Sequence, residues 1–174
     1  MTIPSNLSVG QHFIHGTWKG DPIEWRVLYV KDSWAMAISV CVLDNCWFNM
    51  LEGSGNDYGT SDLRNWLEHS FFPMAFSLRE QENIQIGCLD ENAALSLFSS
   101  DNDRIGRPTA HVKSRGVYVN ESTGGCCWWL RSPGRWYSEA IAVDTYGQCV
   151  YQPVGSINIG IRPAIGISLK PASF

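Results

Sequence analysis

Two motifs in the C-terminal third constrain the fold of this chain most strongly, because each combines an arginine with a proline among apolar residues. The first is WWLRSPG at residues 128–134, directly after two cysteines, and the second is GIRPA at residues 160–164. An arginine in such surroundings must bond to backbone carbonyls or carboxylates, or stack on an indole. The motifs therefore predict a rigid structural frame, with binding of an anionic ligand by the arginines as the alternative. The residues predicted to build this frame are Trp128, Trp129, Arg131, Pro133, Arg162 and Pro163.

The composition indicates one domain that is rich in aromatic side chains. Of the 174 residues, 17% are charged and 12% are aromatic, with eight tryptophans. Since a typical soluble domain has about 25% charged residues, this balance indicates a large apolar core, an aromatic binding face, or both. The net charge of −4 provides no basic surface for nucleic acid. For this length we predict a single domain over residues 1–174.

Neither a membrane span nor a secretory signal is visible in the sequence. No apolar run approaches the roughly 20 residues that cross a bilayer. The N-terminal stretch MTIPSNLSVGQHF lacks a basic start followed by an apolar core. We therefore expect no membrane insertion and a location either in the cytoplasm or in a phage particle or surface assembly.

The N-terminal half predicts strands followed by helices. Residues 23–30 alternate between apolar and other side chains, and residues 34–43 are β-branched and apolar, so together they predict an antiparallel hairpin. A helix that begins at a cap on Thr60 or Ser61 follows, and we expect Pro73 to stop it. A capping box, in which a serine precedes a glutamate by three residues, predicts a second helix after residue 77.

The remaining sequence predicts one more helix, over residues 91–98, and an irregular polar stretch over residues 101–113. Short strands are predicted at residues 84–89, 116–119, 128–130, 140–143, 148–151 and 161–169. Helices in the middle and strands at both ends predict an α+β fold. Its short helices belong to the N-terminal half, its C-terminal half is loop-rich antiparallel β structure, and its termini meet in one sheet.

The residue types that usually carry catalysis or metal binding form no complete motif. The six cysteines lack a CxxC pair and are expected to be buried thiols, although a redox or copper site at Cys126 and Cys127 stays open. Asp101 and Asp103 flank Asn102, but the rest of a calcium loop is missing. The hydrolase, nucleotide-binding and metalloprotease motifs are absent. We predict no catalytic residue, no metal and no cofactor.

The segment 135–159, between the two motifs, is the predicted binding segment. It mixes tyrosine, tryptophan and arginine with serine, asparagine and glutamine, which is the residue palette of paratopes. A purely structural segment of loops and strands can share this palette. The predicted ligand-contacting residues are Arg135, Trp136, Tyr137, Ser138, Asp144, Tyr146, Gln148, Tyr151, Gln152, Ser156 and Asn158.

The order of several motifs resembles an uncharacterised bacterial and phage domain family. These motifs are WRVL (25–28), LRNWL (63–67), FSxxE (76–80), RPT (107–109), WWLRSPG (128–134), VxxxG (143–147) and GIRPAI (160–165). That family is related to C-type-lectin-like and formylglycine-generating-enzyme-like folds, so the resemblance implies a C-type-lectin-like fold. An aliphatic strand often found ahead of residues 91–98 is shortened here.

Members of this group include the variable proteins of diversity-generating retroelements, in which changes at adenines rewrite C-terminal codons. The resemblance implies that residues 1–134 and 160–174 form a scaffold, while positions between them display variable side chains on one face. Eight predicted contact residues are types reachable from the codon AAC, whereas Trp136, Gln148 and Gln152 are not.

The resulting expectation is a non-enzymatic protein that binds a protein or glycan surface and that can form an oligomer. One alternative is a thiol oxidase of the formylglycine-generating type, which would need two thiols close together. The family's oxidases pair two cysteines late in the chain, where Cys149 stands alone. The other alternative is a structural module of a phage particle or surface assembly, in which a partner chain would cover the binding face.

Overall fold

A computed structural model describes residues 3–169 of the chain, except for the side chain of Glu52, so residues 1–2 and 170–174 of the predicted scaffold lie outside the described range. The strands are β1 (His12–Trp18), β2 (Asp21–Lys31), β3 (Trp34–Ser39), β4 (Cys41–Val42), β5 (Asp44–Asn45), β6 (Ile84–Gly87), β7 (Arg107–Pro108), β8 (Trp128–Pro133), β9 (Glu139–Val143), β10 (Cys149–Pro153), β11 (Gly160–Ile161) and β12 (Ala164–Ser168). The α-helices are α1 (Asp62–Trp66), α2 (Phe72–Ala75), α3 (Leu78–Gln81), α4 (Glu91–Ser96), α5 (Asp101–Arg104) and α6 (Ala110–Ser114), with a π-helical segment at Leu67–Phe71. Strands make up 36% and helices 23%, which confirms the predicted α+β class. The prediction that the short helices belong to the N-terminal half is wrong, because Asp90, Ser100 and Thr109 cap α4, α5 and α6 in the second half of the chain.

The first sheet joins the two ends of the described chain. Its strands run in the order β1-β2-β3-β12-β6, so the C-terminal strand β12 lies between β3 and β6. This order confirms that the terminal regions share one sheet. The predicted hairpin is confirmed as β2 and β3, whose two-residue turn holds Asp32 at a positive φ of 52°. The strand predicted over residues 34–43 is divided, because the chain leaves β3 at Val40 and continues as β4 and β5.

The second sheet has the order β10-β9-β8-β11-β5 and is covered on both faces. Strand β8 carries the WWLRSPG motif, and its side chains alternate between the two faces. Trp129 packs in the hydrophobic cluster that contains Trp25, whereas Trp128 packs in the cluster that contains Phe98. Because apolar side chains cover both faces, two adjacent indoles are fully buried.

The second motif completes this sheet at Gly160. This residue pairs with Trp128 on one side and with Asn45 on the other. A Cβ atom on Gly160 would lie 2.3 Å from a methyl carbon of Val42 and 2.9 Å from the Cys127 carbonyl oxygen. The two motifs therefore meet so closely that only glycine fits at the contact.

The helix predicted after the first glycine-rich loop begins as expected, since Ser61 caps α1 through its side chain. The predicted stop at Pro73 is wrong, because the helical chain continues to Ala75. The N–H of Phe72 bonds to the carbonyl of Leu67, five residues earlier, so the hydrogen-bond ladder widens into a π-helical turn. Proline then falls in the first turn of α2, where its missing N–H costs little.

Two further predictions are wrong in the middle of the chain. Residues 101–113 are ordered as α5, β7 and α6, because Ser100 and Thr109 cap the two helices through their side chains. Residues 116–119 form turn and loop structure instead of a strand. The capping box ahead of α3 and the helix α4 are confirmed. None of the helices that the structure describes is long and apolar enough to cross a membrane.

Candidate binding surface of the C-terminal hairpin

Arg162 lies at the centre of the predicted frame, and each nitrogen of its guanidinium donates a hydrogen bond there. Its Nε donates to the Ser39 carbonyl at 2.9 Å, Nη1 to the Arg104 carbonyl at 3.1 Å and Nη2 to the Val40 carbonyl at 3.3 Å. The guanidinium also stacks on the Trp128 indole, 5.1 Å from the ring centroid. Burial lowers the pKa of Arg162 to about 10. Every guanidinium nitrogen is thus committed inside the protein.

Arg131 is placed differently, although the sequence puts both arginines among apolar residues. Its side chain is exposed, and Nη2 donates to Oδ2 of Asp90 at 2.8 Å. The other oxygen of Asp90 accepts the backbone N–H of Ala93 and caps α4. Arg131 thus stabilises a helix end at the surface instead of a buried centre. Of the other predicted frame residues, Trp128, Trp129 and Pro163 are buried, and Pro133 is exposed.

The predicted contact residues lie on and around the hairpin of β9 and β10, whose strand β10 is the edge of the second sheet. Strand β9 spans five residues, so the loops before and after it lie about 13 Å apart, at opposite ends of the hairpin. The exposed residues are Arg135, Trp136, Tyr137, Ser138, Tyr146, Gln148, Tyr151 and Asn158. The half-buried ones are Asp144, Gln152 and Ser156.

Residues 49–56 tie down the loop that precedes β9. The side-chain amide of Asn56 donates to the carbonyl of Trp136 at 3.0 Å and to that of Glu139 at 2.9 Å. The hydroxyl of Tyr137 donates to the carbonyl of Gly53 at 3.2 Å. The loop backbone is therefore fixed while its large side chains stay exposed.

We use the name aromatic face for four exposed residues, three in this loop and one on the edge strand β10. The guanidinium of Arg135 lies over the ring of Tyr151, 5.7 Å from its centroid, and so connects the loop to the edge strand. Trp136 and Tyr137 are each 65% exposed, and Tyr151 is 50% exposed. The aromatic face is defined by Arg135, Trp136, Tyr137 and Tyr151.

The predicted residues near position 156 lie at the same end of the hairpin. The Val154 N–H donates to the carbonyl of Ser138 at 2.9 Å, which holds the two loops together. Asn45 donates to the carbonyl of Ile157 at 2.9 Å. Ser156 and Asn158 flank that anchored residue, and Gln152 is half-buried on the strand before it.

The predicted residues of the loop between β9 and β10 lie at the far end. There, Oδ1 of Asp144 accepts the backbone N–H groups of Tyr146 at 2.8 Å and of Gln148 at 2.9 Å. Asp144 therefore shapes a turn, and Tyr146 is a separate exposed aromatic residue. The structure does not bring these three residues together with the aromatic face.

Two apolar residues that sequence reasoning missed lie in the loop that supports the aromatic face. Met50 is 56% exposed and Leu51 is 64% exposed. The sequence contains a signal for this exposure, because an apolar pair in a loop with three nearby glycines is not part of a helix or strand that could bury it. Residues 49–56 thus contribute surface as well as support.

The thiols carry no sign of activation. All six cysteines are free, with Cys88 and Cys126 buried and the others half-buried. Burial raises the pKa of both Cys88 and Cys126 to about 12 and that of Cys127 to about 11. Since the thiolate is the reactive form, such thiols are poor nucleophiles at neutral pH.

The acidic residues considered for calcium are engaged by arginines. Asp103 accepts two hydrogen bonds from Arg26, at 2.6 and 3.0 Å, and Asp101 is bonded to Arg104. Arg104 is itself buried and was missed in the sequence, because the polar run around it is typical of a surface. Among residues 3–169, no group of three or more histidine, cysteine, aspartate or glutamate residues could hold a metal.

Residues 85–169 match the family model described as a domain of unknown function, DUF6273. The matched segment includes both arginine motifs and the whole hairpin, but it excludes the supporting loop at residues 49–56. No curated protein and no solved structure matches the chain.

Proposed function

We propose that this protein is a non-enzymatic binding module of C-type-lectin-like fold, whose aromatic face contacts the surface of a protein or glycan. The observation that carries the proposal is the combination of exposed aromatic side chains with a tied backbone. Exposed tryptophan and tyrosine side chains dominate the affinity of many interfaces once they are covered. A loop that is already fixed loses less conformational entropy on binding.

The neighbours of the aromatic face favour a protein as the partner. Met50 and Leu51, in the loop that supports the aromatic face, expose aliphatic side chains, which suit the apolar core of a protein interface. Ser138 and Arg135 provide the polar groups that set specificity at its rim. A glycan would instead depend on stacking and on polar side chains, and it would make less use of these aliphatic groups.

The C-type-lectin-like fold and the diversification by a retroelement are proposed from the motif resemblance. Diversification of AAC codons by a retroelement would account for the types of eight of the eleven predicted contact residues, but two of these, Asp144 and Tyr146, lie at the far end of the hairpin. Variation at those two positions would therefore change a turn or a second surface at the far end, and not the aromatic face. The decisive observation is a near-identical repeat of the 3′ coding segment, differing at adenines, beside a reverse transcriptase gene.

A thiol oxidase of the formylglycine-generating type fits the protein less well. Such chemistry needs an accessible thiolate, and burial raises the pKa of the thiols of Cys88, Cys126 and Cys127 far above neutrality.

A structural role in a larger assembly is supported by the open edge of β10. The N–H of Asp144 bonds to the carbonyl of Gln148, and the N–H of Val154 bonds to that of Ser138. The alternation of an antiparallel ladder then directs the backbone groups of Cys149 and Tyr151 away from β9. A strand of a partner chain can add at this position.

The test is a binding screen of the folded protein against a protein array and a glycan array. We expect hits that Trp136→Ser weakens by at least about tenfold, as for a central aromatic residue of an interface. Tyr118→Ser is the matched control, because Tyr118 is 69% exposed and lies outside the aromatic face. Equal loss in both variants, or hits that neither variant affects, would overturn the proposal.

A further inference from the structure

A concave site lies beside β5 and the turn between β1 and β2, and Ile157 contributes to its lining. It is a cavity of about 340 Å³, which falls in the size range of small-molecule sites. Three indoles line it, those of Trp18, Trp47 and Trp66. Two of them, Trp18 and Trp66, meet edge to face with ring centroids 5.7 Å apart. The cavity therefore offers flat apolar walls.

A buried carboxylate, that of Asp44, organises one side of this cavity. Its Oδ2 accepts the indole N–H of Trp18 at 3.1 Å and lies 3.4 Å from Nε2 of His111. Its Oδ1 accepts the backbone N–H of Asn45 at 2.9 Å and lies 3.4 Å from Nε of Arg115. Both carboxylate oxygens are thus engaged by the protein, so Asp44 positions its neighbours instead of receiving a ligand.

The cationic groups of the cavity are more available than its carboxylate. Arg115 uses Nε to bond Oδ1 of Asn45 at 2.6 Å, and its two terminal nitrogens have no hydrogen-bond partner among residues 3–169. Its side chain is 46% exposed. Lys19 supplies a second cation, with its Nζ 4.8 Å from the ring centroid of Trp18. The open part of the lining is therefore positively charged.

We propose that this cavity binds a small carboxylate carried on a ring. The terminal nitrogens of Arg115 match the two oxygens of a carboxylate, which is the geometry that makes such pairs strong and specific. The ring would pack against the indole walls, as flat and apolar rings do. An organic cation would be repelled by the positive charges of Lys19 and Arg115. This site is separate from the proposed function and does not depend on it.

The first experiment compares ring carboxylates with their uncharged counterparts. Indole-3-acetate and glucuronate are titrated into the folded protein, in parallel with indole-3-acetamide and glucose, while the tryptophan N–H resonances are followed by NMR. We expect one acid to bind at least about tenfold more tightly than its neutral counterpart, as for a charge-assisted bond. The preferred acid identifies an aromatic or a sugar ring. Equal binding of acid and neutral compound, or no response to either acid, would overturn the proposal.

The second experiment assigns the binding to the cavity. Arg115→Gln should remove the preference for the acid, and Arg135→Gln, a matched change in the aromatic face, should retain it. If Arg115→Gln does not fold, Lys19→Gln should still weaken acid binding, by a smaller factor. Trp136→Ser should leave acid binding unchanged, which separates this site from the proposed partner surface. Retained acid preference in Arg115→Gln would refute the assignment.

Discussion

Two regions of this protein pair a guanidinium with an aromatic ring in nearly the same geometry. In the frame, Arg162 lies 5.1 Å from the ring centroid of Trp128, and in the aromatic face, Arg135 lies 5.7 Å from that of Tyr151. Arg162 is 3% exposed and donates to three carbonyls. Arg135 is exposed, and its guanidinium has no hydrogen bond to the part of the chain that the structure describes. The contact is alike, but the surroundings differ.

The same pair of an arginine and an aromatic ring can therefore have a structural role or a binding role. Burial and hydrogen bonding decide which role it has. A cation–aromatic contact contributes about 0.5–1 kcal/mol when exposed and about 2 kcal/mol when desolvated. The frame adds buried hydrogen bonds to that contribution, so substitutions there should reduce folding stability. Substitutions in the aromatic face should reduce binding instead.

The largest effect is expected for Arg162→Leu. This change removes the donor to the carbonyls of Ser39 and Val40, while the Arg104 carbonyl still accepts the indole N–H of Trp128. It should lower the free energy of unfolding by about 3–5 kcal/mol. Urea unfolding monitored by tryptophan fluorescence measures the loss. The control is Arg131→Leu, which breaks an exposed ion pair with Asp90 and should cost less than about 1 kcal/mol. Similar losses in the two variants would show that the frame does not depend on Arg162.

The next largest effect on stability is expected for Asp103→Asn, because Asp103 is less buried than Arg162. The two hydrogen bonds from Arg26 hold the pKa of Asp103 below its ordinary value. The stability contributed by a lowered pKa is complete above the unfolded value of about 3.9 and is lost as the pH falls further. We expect a loss of about 1–2 kcal/mol at neutral pH.

The pH dependence is the sharper part of this prediction. The difference in stability between wild type and Asp103→Asn should shrink as the pH falls below about 4. Unfolding curves at pH 7, 4 and 2.5 measure it. A difference that stays constant over this range would mean that the ionised carboxylate contributes nothing and that the loss arises from packing.

Local signals in the sequence predicted much of the fold. The caps at Ser61 and Ser77 and the alternation in the first hairpin depend on residues close together in the chain, and the structure confirms them. Pro73 was misjudged because the π-helical turn before it depends on how Leu67 and Phe71 are buried. The burial of these two side chains depends on tertiary packing, which no local sequence pattern shows.

The candidate site was predictable in composition but not in arrangement. The sequence picked out exposed residues at the aromatic face, yet it also grouped Tyr146 with them, which the hairpin places at the other end. The indole-lined cavity was missed altogether. Its central residues Trp18, Asp44 and Arg115 are far apart in the chain, and no spacing rule connects them.

A smaller effect on stability is expected where residues 49–56 support the aromatic face. Asn56→Ala removes the amide that donates to the carbonyls of Trp136 and Glu139, so it should cost about 1 kcal/mol. It should also weaken partner binding, because the loop is no longer held in place. Thermal unfolding and the array hits measure the two effects. Asn102→Ala, at an exposed helical position, is the control and should change neither. Unchanged partner binding in Asn56→Ala would argue that the support is not needed.

The smallest effect on stability is expected for Trp136→Ser, even though it should have the largest effect on binding. The indole is mostly exposed, and substitutions at such positions usually change stability by no more than about 0.5 kcal/mol. Urea unfolding of this variant and of Tyr118→Ser should therefore give nearly identical curves. A loss as large as that of Asn56→Ala would mean that the indole packs on the loop beneath it. Trp136 would then act as Trp128 does, and the aromatic face would be part of the frame.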